Sequence, residues 1–304
     1  MKIMKYPKNK KAGLILMVDT EGEFGRIPFS PRDNRTHKIR MLVSYLLSLD
    51  YSIRTLKGMV QILKKNKIPA TFFFVGALFL KKKNKYILRE YLKTDIKTKY
   101  LLNKKKLYSI IPTWGEFIEK EMKDNLFEIS IHNFLHESNF SETNSTISKS
   151  IKFSIRAAKE IGFNPKTYAA PWFELEEPNR PERIYKILKE SGILLTRFDG
   201  VRKKYGNLIR IKTREGFFKR YGLDCVHSSY FVKSGRYNKN ELKKIEAGII
   251  EAIKKKGVYT LSMHDTTFLR HGLKHFWGII KIIKKYEDQL YVDTLYNMFT
   301  SIKK

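Results

Sequence analysis

The sequence predicts an α/β protein built on a parallel sheet. Two short apolar runs, at residues 12–18 and 69–75, have the composition of strands that are buried on both faces. Between them, apolar side chains recur at helical spacing over residues 55–66 and predict an amphipathic helix. A strand, a helix and a second strand in this order form a βαβ unit, which implies parallel strands.

The alternation of strands and helices continues to the end of the chain. Further strands are predicted over residues 127–132, 166–171, 193–198, 208–211, 224–232, 258–263 and 290–292, and further helices over residues 143–161, 181–191, 240–256, 273–286 and 294–302. Residues 1–304 show no repeat of fixed period and no low-complexity linker, so we expect a single domain.

Residues 81–124 interrupt this rhythm with lysine runs and scattered aromatics, and we interpret them as a basic insertion. A basic stretch with tyrosines and a tryptophan could hold a nucleic acid or a sugar polymer. We favour the alternative, in which solvated helices bury their aromatic side chains.

The composition excludes several classes of protein. With 42% hydrophobic residues the chain can bury a core and is not a disordered polymer. A single cysteine, Cys225, excludes an internal disulfide and a cysteine zinc cluster. The 61 basic residues against 30 acidic ones give a net charge of +31, which attracts anions such as acidic glycans, phospholipid headgroups or nucleic acid. The lysines are spread along the whole chain, which favours a general compositional bias with anion attraction as a secondary effect.

The sequence predicts neither a membrane span nor a cleavable signal. No apolar run approaches eighteen residues, and the basic first ten residues lead into a strand rather than a cleavable signal. We therefore expect a cytoplasmic protein whose charge would allow contact with an anionic membrane surface. No recognised nucleic-acid-binding motif occurs, which argues against a nucleic-acid partner, and nothing indicates the oligomeric state.

Two histidines four residues apart, His132 and His136, follow the predicted strand that begins at residue 127. If a helical turn starts at His132, both imidazoles fall on one side of it. Two neutral histidines and one carboxylate form a common open zinc site, and Asp19 and Glu21 stand at the end of the first predicted strand. The carboxyl ends of barrel strands meet at one mouth, so either acid could complete the site. The alternative is one histidine in a structural cap and one on the surface.

Polar or aromatic residues follow other predicted strands as well. The strand ends carry Pro171-Trp172, Asp199 and His264-Asp265. Together with the acidic turn and the histidine pair, they predict one chemical centre at the carboxyl ends of the strands.

These residues resemble the motifs of the polysaccharide deacetylase family, also called the NodB homology group or carbohydrate esterase family 4. The motifs occur in the family's order: Asp19-Thr-Glu21, His132 to His136, Ala169-Ala-Pro-Trp-Phe173 and Leu261-Ser-Met-His264. The resemblance implies a distorted (β/α) barrel of seven or eight strands. It also implies a metal-dependent hydrolase that removes acyl groups from amino sugars or glycans.

The same resemblance assigns roles to individual residues. It makes Asp19 the base and makes Glu21, His132 and His136 the ligands of a divalent metal, with Zn²⁺ expected and Co²⁺, Ni²⁺ or Mn²⁺ as alternatives. His264 becomes the general acid. Asp199 becomes the residue that orients His264, a role for which Asp265 is the alternative.

The third motif places Pro171, Trp172 and Phe173 beside the substrate, where the two aromatic rings would pack either on a sugar face or in the core. Two departures from the family pattern stand out. Asn133 occupies a position where Ser or Thr is usual, and Ala169 stands where the family has an arginine that steadies the base.

Within the family, the Asp-x-acid turn and the alanine-rich third motif are similar to the deformylase that acts on undecaprenyl-phosphate-linked formamido-arabinose. This likeness would imply a formyl group on a lipid-phosphate-linked sugar. Three alternatives stay open. The first is a catalytically impaired barrel that binds glycan or another anionic polymer, the second a nucleic-acid-binding protein, and the third an amidohydrolase acting on a non-sugar amide.

Overall fold

The fold is known from a computed structural model, which describes residues 5–22, 51–93, 114–202, 208–209, 216–233, 235–268 and 272–303. The strands are β1 (Ala12–Thr20), β2 (Ala70–Phe74), β3 (Phe127–Ile131), β4 (Thr167–Tyr168), β5 (Leu195–Phe198), β6 (Val201–Arg202), β7 (Leu208–Ile209), β8 (Phe217–Arg220), β9 (Leu223–His227), β10 (Tyr230–Phe231), β11 (Val258–His264) and β12 (Leu290–Val292). The α-helices span Tyr51–Asn66, Tyr86–Leu92, residues 114–121, Asn144–Lys159, Arg183–Glu190, Lys239–Lys255, Lys274–Lys285 and Leu295–Lys303.

The main sheet runs in the order β10-β11-β1-β2-β3-β4-β5-β9-β8. Every neighbouring pair from β10 to β9 is parallel, and β8 adds an antiparallel strand beside β9. β11 and β9 are the second strands from the two ends of this sheet, and side chains of β11 bond to the end of β9. Thr260 Oγ1 donates to the carbonyl of His227 (2.6 Å), and the hydroxyls of Ser228 and Ser262 lie 3.0 Å apart. The predicted distorted (β/α) barrel is therefore confirmed. Among the described residues, eight parallel strands follow one another in this order, and β12 pairs in parallel with β1 as a ninth.

β1 pairs with three other strands of this sheet. One of its edges pairs with β11 from Gly13 to Asp19. Its other edge is shared, because β12 pairs with residues 12–14 and β2 pairs with residues 17–20. A strand with both edges occupied and both faces covered needs apolar side chains throughout, which explains the uninterrupted apolar run at this point in the sequence.

Alternate residues of the strands serve two different cores. On β1, Leu14 and Leu16 face outward into the large core beneath the helices, whereas Ile15 and Met17 face the barrel interior. The interior core is small, and Leu295 and Met298 of the last helix belong to it. Because side chains alternate along a strand, the next interior position after Met17 on β1 is Asp19.

The segment from residue 208 to residue 232 differs from the prediction. β7 pairs only with β6 in a separate two-stranded sheet, and it does not enter the barrel. The predicted strand over 224–232 is two strands, β9 and β10, and β9 is preceded by the unpredicted β8. β8 and β9 form a hairpin whose two turn residues, Tyr221 and Gly222, both have positive φ, as the tightest hairpin turns require.

The insertion is helical where the structure describes it, and residues 94–113 lie outside the described residues. Tyr91 and Trp114 are fully buried in the large core, as the favoured interpretation predicts. Tyr86 is exposed and lies beneath the Arg156 guanidinium, while Tyr100 and Tyr108 fall within 94–113.

Within the described ranges, no helix combines the length and the apolar character that crossing a membrane requires.

Candidate active site

The predicted residues converge at the carboxyl end of the barrel. Asp19 at the end of β1 lies directly opposite His264 at the end of β11. His132 follows β3 at the next interior position after Ser130, and Arg197 faces the interior from β5. All but His264, which is partly exposed, are almost completely buried. The period of two along each strand thus directs four polar side chains into one mouth.

Glu21 is the residue on which the imidazoles converge. Its Oε1 lies 3.1 Å from His136 Nε2, 3.6 Å from His132 Nε2 and 3.2 Å from His264 Nε2. The ligand atoms that Glu21, His132 and His136 can offer all lie within 4.8 Å of one another. The predicted set of ligands is therefore brought together, and it forms a candidate metal site.

The orientation of His132 is fixed from behind. Its Nδ1 lies 2.8 Å from the carbonyl oxygen of Ala169, so Nδ1 carries the proton and donates it to that carbonyl. This tautomer leaves a lone pair on Nε2, which points toward Glu21. Among the described residues this buried Nε2 has no hydrogen-bond partner. Burial lowers the pKa of His132, which keeps the ring neutral as a metal ligand must be.

His136 reaches the site from a loop rather than a helix. The helical turn considered at His132 does not form, because residues 132–137 contain no helix and both Asn133 and His136 have positive φ. A side chain stabilises this strained path from inside. Asn133 accepts a hydrogen bond from Tyr168 Oη (2.8 Å) and donates to Asn139 Oδ1 (2.9 Å). The Asn that replaces the family's usual Ser or Thr is thus built into the loop that presents His136.

The electrostatics of the acidic turn follow from its neighbours. Burial raises the pKa of the Glu21 carboxyl, but the imidazoles of His264 and His136 outweigh it and hold that pKa well below its usual range. The carboxylate of Asp265 accepts hydrogen bonds from the backbone N–H groups of Glu21 and Gly22, at 3.4 and 3.2 Å. Burial and the Glu21 charge raise the pKa of Asp265 to about 7. Asp265 therefore supports the turn that carries Glu21.

His264 lies between the two acids of the first motif. Its Nε2 is 3.2 Å from Glu21 Oε1 and 3.9 Å from Asp19 Oδ2, and its ring centre is 4.8 Å from that of Phe231. Burial lowers the pKa of this imidazole, but the carboxylates of Glu21 and Asp19 outweigh burial and raise that pKa to about 9.

Asp19 is held by an arginine that the sequence did not single out. Both terminal nitrogens of Arg197 donate to the Asp19 carboxylate, with Nη2 and Oδ2 2.8 Å apart. Burial raises the pKa of Asp19, but the charge of Arg197 and its hydrogen bonds to the carboxylate outweigh burial and lower that pKa. Asp199, expected to orient His264, instead accepts a hydrogen bond from Arg197 Nε at 2.9 Å. The expected role of Asp199 is corrected accordingly, because its carboxylate is aimed at the guanidinium.

Aromatic rings form one side of the mouth. After Pro171, which is buried, Trp172 and Phe173 both have positive φ and are only partly buried. The Trp172 ring meets His136 edge-on at 4.8 Å, and Phe173 meets Phe231 at 5.3 Å. These two residues therefore contact the site rather than the core, and Phe231 is an aromatic contact that sequence reasoning missed.

Two kinds of comparison with known proteins bear on this geometry. Residues 46–193 match the family model of polysaccharide deacetylases. This match covers 148 of the 304 residues and assigns that part of the chain to the polysaccharide deacetylase family. The matched region includes His132, His136 and the third motif. Asp19, Glu21 and His264 lie outside the matched residues, and the fold brings them close to the two histidines. No curated protein matches the sequence.

Solved structures share the fold at low sequence identity. A protein from Mycobacterium smegmatis described as a polysaccharide deacetylase has a TM-score of 0.63 and 16% identity, with 100% of this chain and 94% of that one covered. A protein from Pseudomonas aeruginosa with the same description has a TM-score of 0.56 and 11% identity, covering 97% and 92%. An allantoinase has a TM-score of 0.57 and 11% identity, covering 97% and 91%.

Proposed function

We propose that this polysaccharide deacetylase family member is a metal-dependent hydrolase that removes an N-acyl group, acetyl or formyl, from an amino sugar or glycan. The observation that carries the proposal is the convergence of Glu21, His132 and His136 beside a second acid, Asp19, and a third imidazole, His264. One carboxylate and two neutral imidazoles are the donor set of an open catalytic zinc site.

The donor set fits a divalent cation in two respects. The His132 ring is fixed with its proton on Nδ1, so the buried Nε2 has a lone pair and no hydrogen to donate to Glu21. The low pKa of Glu21 keeps its carboxylate ionised. We expect Zn²⁺, with Co²⁺, Ni²⁺ or Mn²⁺ as alternatives, and a bound ion would act as a Lewis acid on the amide carbonyl.

The remaining residues supply the proton transfers of amide hydrolysis. Asp19 accepts a proton from the attacking water, whose oxygen forms the new bond to the carbonyl carbon. His264, on the neighbouring strand, donates a proton to the nitrogen as the C–N bond breaks. The products are a carboxylate and a free amine. The backbone N–H of Trp172 is our candidate donor to the oxyanion.

The aromatic side of the mouth supports a sugar substrate. Trp172 and Phe173 are partly exposed beside the ligand histidine, and flat aromatic rings pack against the apolar face of a pyranose. The net charge of +31 would favour a sugar that carries phosphate or lies at an anionic membrane surface, which suits a cytoplasmic enzyme acting on a lipid-phosphate-linked formamido sugar.

The catalytically impaired barrel drew its support from Ala169. Arg197 weakens that support, because a guanidinium reaches the base from another strand. The allantoinase fold match keeps hydrolysis of a non-sugar amide as the second candidate, since the same donors would serve either substrate.

The test combines metal content with product release. The purified protein is stripped with a chelator, reloaded with Zn²⁺, Co²⁺, Ni²⁺ or Mn²⁺, and incubated with N-acetylated and N-formylated glucosamine oligomers and with allantoin. Release of acetate or formate together with free amine is expected from the wild type and from Glu128→Gln, and not from His132→Ala. A wild type that takes up no metal, or releases no more acid than His132→Ala, would refute the proposal.

A further inference from the structure

Arg197 is a buried cation beside the proposed base, Asp19. It is fully buried, and its guanidinium contacts two carboxylates: Asp19 through both terminal nitrogens and Asp199 through Nε. The face of the guanidinium lies over the Phe73 ring, 5.4 Å from its centre. Burying an arginine is costly unless its donors are paired. Here carboxylates bind along two edges of the planar guanidinium.

The sheet register places this arginine beside the vacant third-motif position. β4 and β5 pair with Thr167 opposite Leu195 and Tyr168 opposite Thr196. One residue further, the same register sets Ala169 opposite Arg197. Adjacent strands lie about 4.8 Å apart, so the two Cα atoms are separated by roughly one strand spacing. The arginine that is missing at residue 169 is thus present at the same level of the barrel, one strand along.

The small side chain of Ala169 makes this arrangement possible. Ala169 is fully buried in the interior core together with Leu195, Met17 and Phe73. A long side chain at residue 169 would compete with Arg197 for the same interior space. Its backbone carbonyl, in contrast, keeps the contact that orients His132 whichever side chain the position carries.

We propose that Arg197 is the positioning residue for the base Asp19, and that it performs from β5 the task that the family assigns to the third-motif position. This inference rests on the proposed function. A bidentate guanidinium fixes the plane of the Asp19 carboxylate, and Asp199 fixes the guanidinium in turn through Nε. The oxygen that receives the proton is thereby held toward the mouth. Asp199 acts on the base through Arg197, two steps away from the substrate.

The experiment moves the arginine back. Arg197→Ala, Ala169→Arg and the double variant Ala169→Arg/Arg197→Ala are compared with the wild type in kcat, KM and bound zinc on the N-acyl glucosamine oligomer that the wild type hydrolyses. Loss of base positioning is expected to lower kcat about 100-fold in Arg197→Ala. KM and zinc content should stay close to wild type. The double variant should recover at least about 10-fold of the lost kcat, because it restores the charge and the buried volume from the adjacent strand.

A double-mutant cycle with Asp19→Asn separates positioning from a structural role. If Arg197 acts through Asp19, adding Arg197→Ala to Asp19→Asn should leave kcat unchanged within about 2-fold. Should Arg197→Ala fail to fold, the double variant and Arg197→Lys carry the test, because both keep a buried cation. Lysine cannot bind bidentately, so kcat should lie between those of the wild type and Asp19→Asn.

The outcomes are distinguishable. A wild type that hydrolyses the oligomer, combined with a relocated arginine that restores nothing or with additive effects in the cycle, overturns the role of Arg197 alone. Equal losses of kcat and zinc in Arg197→Ala would also overturn it, because they would mark a structural residue. A wild type without hydrolysis removes the proposed function, and the inference falls with it.

Discussion

Two acidic residues at opposite ends of the barrel, Glu128 and Glu21, contact different kinds of groups. At the amino ends of the strands, which we call the floor, Glu128 accepts three hydrogen bonds. The donors are Thr71 Oγ1 (2.9 Å), Thr167 Oγ1 (2.6 Å) and the backbone N–H of Tyr296 (2.9 Å). At the mouth, Glu21 faces the ring nitrogens of three histidines instead.

The difference separates a structural carboxylate from a functional one. Two hydroxyls and one backbone N–H donate to Glu128, and the last helix begins beside it, so neutral donors satisfy both of its carboxylate oxygens. The imidazoles of His132 and His136 can offer lone pairs of their own, so a cation would complete their arrangement around Glu21, as we propose. This agrees with the division of labour in (β/α) barrels, in which the carboxyl ends of the strands carry chemistry and the amino ends carry stability.

The largest effect is expected from removing a mouth histidine. His132→Ala deletes one of the three residues that we propose as metal ligands, so zinc content measured by elemental analysis and acyl release should both fall to background. The unfolding midpoint of the metal-free protein should change far less. Retention of zinc and activity in His132→Ala would erase the distinction between mouth and floor.

The matching change at the floor should affect stability alone. Glu128→Ala leaves the Tyr296 N–H and two threonine hydroxyls without their acceptor, which should lower the free energy of unfolding by about 1–3 kcal/mol in urea titrations. Burial raises the pKa of Glu128, so part of this loss is offset by relief from burying a charge. Zinc content and kcat should match the wild type, and a fall in either would place the floor in the active site.

A smaller effect is expected at the aromatic side of the mouth. Trp172→Ala removes a ring that we place against the sugar, which should raise KM about 2- to 10-fold with kcat nearly unchanged. Trp277→Ala is the control, because Trp277 packs on the outer core from the helix Lys274–Lys285. An unchanged KM in Trp172→Ala would assign that ring to support of His136.

The smallest effect is expected at His275, on the pH dependence of stability. His275 is fully buried 3.2 Å from Glu241, and burial lowers its pKa although Glu241 partly offsets the shift. The folded state therefore favours the neutral ring, and the unfolded chain takes up the proton first as pH falls below about 6.5. The contribution of His275 to stability is present above that pH and decreases below it. Between pH 8 and pH 5, His275→Gln should lose less unfolding free energy than the wild type, and an equal loss would contradict the assignment.

Much of the barrel was predictable because its signal is local. The apolar runs of β1 and β2 and the helical spacing between them depend only on nearby residues, and the structure places those strands within one or two residues of their predicted bounds. The hairpin of β8 and β9 was missed because its turn, Tyr221-Gly222, lacks the Asn or Asp that usually precedes glycine in such a turn.

The site was predictable in its residues but not in its connections. Asp19, Glu21, His132, His136 and His264 were identified by type and order along the chain, and they lie together. Arg197 was missed because apolar periodicity does not detect a charged residue inside a barrel. The available signal was the spacing of Leu195, Arg197 and Asp199, because residues two apart along a strand face the same side. The loop path of His136 depends on Tyr168 from another strand, which no local pattern encodes.

The placement of β1 has a consequence for how the protein is made. β1 is translated well before its partners β11 and β12, which follow it at Val258–His264 and Leu290–Val292. Until those segments emerge from the ribosome, a long apolar edge has no strand to pair with, and such edges promote aggregation. Products that stop short of Val258 should therefore be insoluble or chaperone-bound, even though they contain every residue of the family match.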